Sequence, residues 1–228
     1  MDSYIQLNQV SNEAKVAFYK KTYSHVAGGV LAFILIEAFF INTPIIRKFA
    51  LSMTRGSMWL LMLGGFMLVT SYAQGLAIKS HDRNKQYLGF GLYIVAEAFI
   101  FLPLIYVAMA RIDGPQLINQ AALLTLSLFT GLSAVVLITK KDFSFLRSAL
   151  TVGFFIAIGL IIAGILFGFD LGLWFSVGMV VLAAGSTLYQ TSNLVHKYSN
   201  DQYVSAALGL FASLMLLFWY ILRILSRD

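Results

Sequence analysis

The sequence predicts an all-α membrane protein with seven transmembrane helices. Three observations lead to this: 59% of the 228 residues are hydrophobic, only 11% are charged, and the apolar residues fall in seven runs. Soluble domains are about 45–50% apolar and about 25% charged, so this chain lacks the polar surface that a globule in water requires. We predict a polar N-terminal tail over residues 1–21 and a single seven-span domain over residues 22–228.

Each predicted span has about the 20 mostly apolar residues that cross roughly 30 Å of hydrocarbon. The spans are Ser24–Ile41, Ser57–Ile78, Leu88–Ala110, Ile118–Thr139, Ser148–Phe169, Leu171–Tyr189 and Tyr203–Leu225. The break between the fifth and sixth spans is the segment 167–172, Phe-Gly-Phe-Asp-Leu-Gly. Its glycines predict a tight hairpin, because a single helix through this segment would far exceed the bilayer.

Lys and Arg residues between the spans predict the orientation of the bundle. With the N-terminus in the cytoplasm, the inner segments carry ten of these residues and the outer segments six. This excess favours a cytoplasmic N-terminus and a C-terminus outside. The first outer loop is itself basic, and its residues 45–51, which follow Thr43 and Pro44, predict a short helix in the membrane interface.

Several classes of function are excluded by missing motifs. The chain has no cysteine, which excludes disulfides, thiolate metal sites and a cysteine nucleophile. It contains no Ser/His/Asp arrangement, phosphate-binding glycine loop or HExxH motif, so we expect no enzyme, no bound metal and no cofactor. The net charge of +6 comes from clusters between spans and does not predict nucleic-acid binding. Gly164 and Gly168, at small-xxx-small spacing, predict close helix packing.

Two glutamates lie inside predicted spans, where an ionisable group costs roughly 2.5–3.5 kcal/mol to insert. Glu97 is near the middle of the third span, one turn after Tyr93, whose hydroxyl can donate to it. Two interpretations of Glu97 stay open: a buried structural hydrogen-bonding group, or a group that handles protons or cations. Glu37 lies in the last turns of the first span, and we expect its side chain to reach the outer interface.

A polar stripe closes the sixth span. Ser186, Gln190 and Asn193 repeat at i, i+4 and i+7 and therefore share one helix face. Such a stripe either forms hydrogen bonds with a neighbouring helix or lines a water-filled vestibule. Ser205 and Ser213 of the seventh span are the available partners.

Five stretches of the chain, covering all seven spans in order, resemble the bacterial Bax inhibitor-1 family in its YccA-like branch. They are Tyr19–Phe39, Tyr87–Tyr106, Thr139–Leu146, Leu188–His196 and Ala206–Arg223. The most specific elements are KDFSFL between spans four and five and LYxTSNxxH at the end of span six. The resemblance implies six spans around a central seventh.

The resemblance also implies one of two activities. Some members are pH-sensitive calcium leak channels, in which an acidic pair on spans six and seven latches the pore. The YccA-like branch is similar to an inner-membrane protein that restrains a membrane-anchored AAA protease of the FtsH type, which engages its cytoplasmic tail. At the latch positions this chain has Gln190 and Ser213, neither of which ionises, whereas Glu97 has its match within the branch.

Two hypotheses follow. The first is a non-enzymatic regulator of membrane protein quality control that binds an FtsH-type protease. The second is a calcium or proton leak along Glu97, Ser186, Gln190, Asn193 and Ser213. A structural subunit of a larger membrane complex is a third alternative, and in each case the lipid bilayer is the surrounding medium.

Overall fold

The computed structural model describes residues 11–54, 56–79 and 82–227, with the backbone alone at residue 79. Its regular elements are eight helices: α1 Asn12–Asn42, α2 Pro44–Ser52, α3 Met58–Lys79, α4 Arg83–Met109, α5 Gly114–Thr139, α6 Leu146–Phe167, α7 Gly172–His196 and α8 Tyr203–Leu225. All except α2 are long and apolar enough to cross a membrane. The prediction of seven spanning helices is confirmed.

Helix α1 begins earlier than the predicted first span. It starts at Asn12, where the Ser11 hydroxyl accepts a hydrogen bond from the Ala14 N–H at 3.3 Å and caps the helix. Phe18 is 1% exposed and Thr22 is fully buried, so this extension packs against the bundle. Half of the segment predicted as a tail is therefore helical and continuous with the first span, and residues 1–10 lie outside the described residues.

The basic first loop contains the predicted short helix. Pro44 occupies the first turn of α2, where its missing N–H costs no hydrogen bond. The Arg47 guanidinium donates to the Ile41 carbonyl at 2.9 Å and lies over the Tyr106 ring, which holds α2 against α1 and α4. Its place in the membrane interface stays a prediction, as does the orientation, whose charge count includes the undescribed side chains of Arg55 and Lys79.

The hairpin between α6 and α7 is confirmed. Gly168 ends α6 with φ +73° and Gly172 begins α7 with φ +74°, both in the left-handed region that favours glycine. The Asp170 carboxylate accepts from the Gly172 N–H at 3.1 Å and closes the turn. The prediction that Gly168 packs against a helix is wrong: a Cβ there would meet nothing within 4 Å, and Gly164 lies against the hairpin residues Phe169 and Leu171.

Helix α8 is the central helix, as predicted. It packs along α1, α3, α4, α5 and α7. In its most apolar stretch 61% of the residues are buried, whereas the value for α6 is 6%. Helix α4 is nearly as enclosed, at 56%. The bundle therefore has a well-packed centre formed by α4 and α8 and a peripheral helix, α6.

Candidate functional site

A cavity of about 690 Å³ lies between α6 and the rest of the bundle. Helices α3, α4, α6, α7 and α8 all contribute to its walls. It contains Glu97, Ser186, Gln190 and Ser213, four of the five residues predicted for an ion or proton pathway. The bundle thus brings together side chains that are more than 110 positions apart in the sequence.

Glu97 is the ionisable group at mid-depth in the cavity. Its side chain is 5% exposed and interacts with the Tyr93 hydroxyl group, one turn earlier on α4. Tyr93 also interacts with the Gln74 side chain of α3. These three polar side chains form a cluster where α3 and α4 meet. Glu97 thus has a polar neighbour and also lines the cavity, so both interpretations of this group stay open.

The side chains at the latch positions, Gln190 and Ser213, are neutral and lie in a network of polar contacts. Ser186 Oγ and Ser213 Oγ are 2.8 Å apart, and Ser213 also donates to the Gly209 carbonyl at 3.1 Å. The Gln190 amide lies against Gly209, where a Cβ would come within 2.8 Å of its Oε1 atom. The partner of Ser213 is Ser186, one turn before the expected position. No proton gain or loss near neutral pH changes the charge of these groups.

Asn193 does not join the other stripe residues in the cavity walls. It lies seven residues, or about 10 Å at helical rise, beyond Ser186. Its backbone carbonyl accepts from the N–H groups of Lys197 and Tyr198 at 2.8 and 3.2 Å and so ends α7. Its side-chain oxygen is buried without a partner among the residues described.

The bundle is tightly packed at the end where α3 stops and α4 begins. The Ser205 hydroxyl donates to the Ala77 carbonyl at 2.5 Å. The Arg83 guanidinium lies 4.4 Å from the centre of the Tyr203 ring and donates to the Asp201 carbonyl at 2.7 Å. The cavity walls reach no further toward this end than Gln74 and Gly209, so these contacts separate it from that side.

At the opposite end the cavity reaches the α6–α7 hairpin and the last turns of α8. Asp170 forms an ion pair with Arg227, with 2.8 Å between Oδ2 and Nη2. The hydrogen bond from the Gly172 N–H lowers the pKa of Asp170, and the charges of Arg227 and Arg223 lower it further. One carboxylate therefore faces two guanidinium groups, and the local net charge is positive.

The prediction that Glu37 reaches the interface is wrong. Its side chain is 4% exposed, and neither carboxyl oxygen has a hydrogen-bond partner in the described part of the chain. Phe33 and Phe40, one turn to either side, pack edge-on against Phe101 and Phe99 of α4. This face of α1 therefore points into the bundle and carries the glutamate with it.

The two most specific motifs, KDFSFL and LYxTSNxxH, contact each other. The Ser192 hydroxyl accepts from the Phe143 N–H at 2.9 Å and donates to Asp142 Oδ1 at 3.2 Å. His196 is within hydrogen-bond distance of the Lys140 carbonyl, at 3.1 Å. This clasp between the α5–α6 loop and the end of α7 was not predicted, because nothing in either motif alone identifies a partner some 50 residues away.

One contact of the clasp, from the Ser192 hydroxyl group to Asp142, is favoured by ionisation of the carboxyl group. The N–H of Ser144 lowers the pKa of this exposed carboxyl group, and the Ser192 hydroxyl and His196 lower it further. A carboxyl group whose folded-state pKa is below its unfolded value, about 3.9, adds stability above that value. The contribution is lost as the pH falls through the folded-state pKa, so the clasp is complete at neutral pH.

We expect Ser192→Ala to lower the free energy of unfolding by about 1–3 kcal/mol, because the Phe143 N–H would lose its acceptor. Ser192 is 1% exposed, so water does not readily replace the hydroxyl. Thermal unfolding of the purified protein in detergent measures the effect. Ser148→Ala, at an exposed position near the start of α6, is the matched control and should stay within about 0.5 kcal/mol. Equal stability of the two variants would contradict the role of the clasp.

Within the described residues, no three His, Asp or Glu side chains come together as metal ligands. At the hairpin end Asp170 and Arg223 add charges to the cavity wall, whereas around Glu97 the chemistry is that of one carboxyl group among neutral hydroxyl and amide groups. Such a group can bind a proton or a small cation, and the described geometry supplies no nucleophile beside a general base.

Comparison with known proteins gives one family. The family model described as inhibitor of apoptosis-promoting Bax1 matches residues 15–228. An uncharacterized protein of Pseudomonas aeruginosa is 35% identical over 139 residues, 60% of this chain and 58% of its own length. An uncharacterized membrane protein of Vibrio cholerae is 34% identical over 125 residues, 54% of this chain and 56% of its own length. Mouse protein lifeguard 4 is 27% identical over 216 residues, 93% of this chain and 85% of its own length. The matches thus span little more than half of these two bacterial relatives and most of the mouse protein.

Proposed function

This chain belongs to the Bax inhibitor-1 family, and on that premise we propose that it is a non-enzymatic regulator that binds an FtsH-type AAA protease. In this proposal it resides in the bacterial inner membrane, with the N-terminus cytoplasmic and the C-terminus outside. The YccA-like motifs support the proposal, and the basic inner segments support the orientation.

The observation that carries the proposal is the neutral pair Ser186 and Ser213. A pore opened by protonation needs a group that changes charge at the latch, and two hydroxyl groups 2.8 Å apart do not. Gln190, held against Gly209, adds no charge. This chain therefore lacks the ionisable latch on which the channel-type relatives depend. Its absence favours the binding function of the YccA-like branch.

Co-purification tests this proposal. The tagged full chain, solubilised in mild detergent from its own membranes, should bring down the FtsH-type protease, and its overproduction should slow the degradation of that protease's substrates. A variant with residues 2–10 replaced by a Gly/Ser segment of equal length keeps the Ser11 cap and should lose most of the effect on degradation. Recovery of no protease, together with unchanged substrate lifetimes, would refute the proposal.

A second candidate, passage of protons or calcium ions, is favoured by one observation. Glu97 lines the same cavity as Gln190 and Ser213. A carboxyl group inside the membrane is costly and is commonly part of an ion or proton path. The closed packing around Ser205 and Arg83 would then have to open for passage.

Ion flux into liposomes that contain the purified protein tests this second candidate. If the cavity conducts, Glu97→Gln should remove most of the flux, because a neutral amide neither holds a proton nor attracts a cation. Glu37→Gln is the matched control, since Glu37 is equally buried but is absent from the cavity walls, and it should conduct like the native chain. Absence of calcium and proton flux at every pH between about 5 and 8 would rule the candidate out.

A further inference from the structure

The half of the cavity nearest Arg223 lies between α3 and α6, on a side that would face lipid in a bilayer. These helices line the cavity from both sides, yet they are not among the helix pairs that pack along each other in the described residues. Helix α6 packs along α7, and only 6% of the residues in its most apolar stretch are buried. Among the described helices, none is found to pack across this side of the cavity between α3 and α6.

The walls of this half are hydrocarbon. Leu63 and Phe66 of α3, Ile158 and Ile161 of α6 and Leu216 of α8 all line it. Water gains too few hydrogen bonds in such a space, and apolar cavities take up apolar molecules instead. The whole cavity, at about 690 Å³, is within the range of small-molecule sites, which are mostly apolar with a few polar groups. A hydrocarbon chain is therefore the ligand that best fits these apolar walls.

The mouth of this half is positively charged. Arg223 lines the cavity, and no hydrogen bond from its guanidinium is found among the residues described. The nearby carboxylate of Asp170 is already paired with Arg227 at 2.8 Å, and Arg223 contributes only its charge. One of the two guanidinium groups is therefore available to an anion at the end of the apolar space.

We propose that this half of the cavity binds the acyl chain of an anionic amphiphile, which enters between α3 and α6 and places its negative head group at Arg223. The ligand class is an anionic phospholipid of the bilayer or a free fatty acid, which share the chain and the charge. The proposal rests on neither candidate function: it requires no protease and no ion flux, although the site shares its cavity with Glu97.

Native mass spectrometry of the purified full chain in detergent tests the site, with added phosphatidylglycerol, phosphatidylcholine and oleate as probes. One anionic probe should bind about tenfold more tightly than phosphatidylcholine, the difference expected for one charge-assisted contact. Binding of oleate alone would identify a fatty-acid site, and binding of phosphatidylglycerol alone would identify a site for bilayer lipid. Equal binding of all three probes would overturn the proposal.

Matched variants separate this site from lipid bound anywhere on the surface. Ile161→Trp fills the cavity and should abolish tight binding, whereas Ile162→Trp, at a position 39% exposed and outside the cavity walls, should bind like the native chain. Arg223→Gln should remove the preference for anionic probes, whereas Lys48→Gln, which removes an exposed cation outside the cavity walls, should keep it. If Ile161→Trp does not accumulate, Ala212→Leu on α8 provides the same test. Native binding by the cavity variant, or equal losses in both isoleucine variants, would overturn the proposal.

Discussion

Gly89→Val is expected to lower the free energy of unfolding by about 3 kcal/mol, at the upper end of the usual cost of overpacking. A Cβ at position 89 would lie 2.5 Å from the Ala73 carbonyl oxygen and 2.9 Å from the Ala77 nitrogen. Both are backbone atoms of α3, which no change of rotamer can move away. Helices α3 and α4 would have to separate, which would also pull apart the polar side chains of Gln74 and Tyr93. Thermal unfolding in detergent and the amount of protein in the membrane measure the loss.

Gly91→Val is the control for this prediction. Gly91 lies two residues further along the same helix, and a Cβ there would meet nothing within 4 Å. The two variants change helix propensity and hydrophobicity equally, so their difference reports the close approach of α3 and α4 alone. We expect Gly91→Val to stay within about 0.5 kcal/mol of the native chain. If Gly89→Val unfolds at the same temperature as Gly91→Val, the two helices are not in the contact described here.

The spans were predictable because hydropathy depends on local composition. All seven predicted spans overlap helices of the structure, and the α6–α7 break falls at the glycines expected to form it. The start of α1 was missed for a related reason. Its first turns are polar on average, and the burial of Phe18 against the bundle, which holds them in the helix, is a tertiary contact.

The site was predictable only in part. The rotation of each helix about its axis, and the position of each residue along it, decide which polar side chains come into contact. Ser186 and Gln190 reach the cavity and Asn193 does not, although all three share one face of α7. Gly89 and Gly91 look alike in sequence, and only the rotation of α4 shows which one touches α3. The clasp of Ser192 with Asp142 and Phe143 joins two segments far apart in the chain, which a single sequence does not reveal.

Glu37→Leu is expected to raise the free energy of unfolding by about 1–3 kcal/mol, the cost of a buried polar group without a hydrogen bond. Glu37 and Glu97 are both glutamates within long apolar helices, and 4% and 5% of their side chains are exposed. They differ in their partners. Glu97 has the Tyr93 hydroxyl group as a polar neighbour, whereas neither oxygen of Glu37 has a partner among the described residues. We therefore expect Glu97→Leu to destabilise the protein, since the Tyr93 hydroxyl group would lose its polar neighbour.

If Glu37→Leu raises the free energy of unfolding and Glu97→Leu lowers it, the result bears on function as well as on stability. A residue whose removal stabilises the fold is not retained for packing, and the usual reason for such a residue in a membrane helix is function. Unfolding of both variants in the same detergent, followed by the protease-binding and flux assays on Glu37→Leu, would show whether stability is gained while an activity is lost. If Glu37→Leu instead unfolds at a lower temperature than the native chain, the carboxyl group has a partner in the membrane and belongs to the fold.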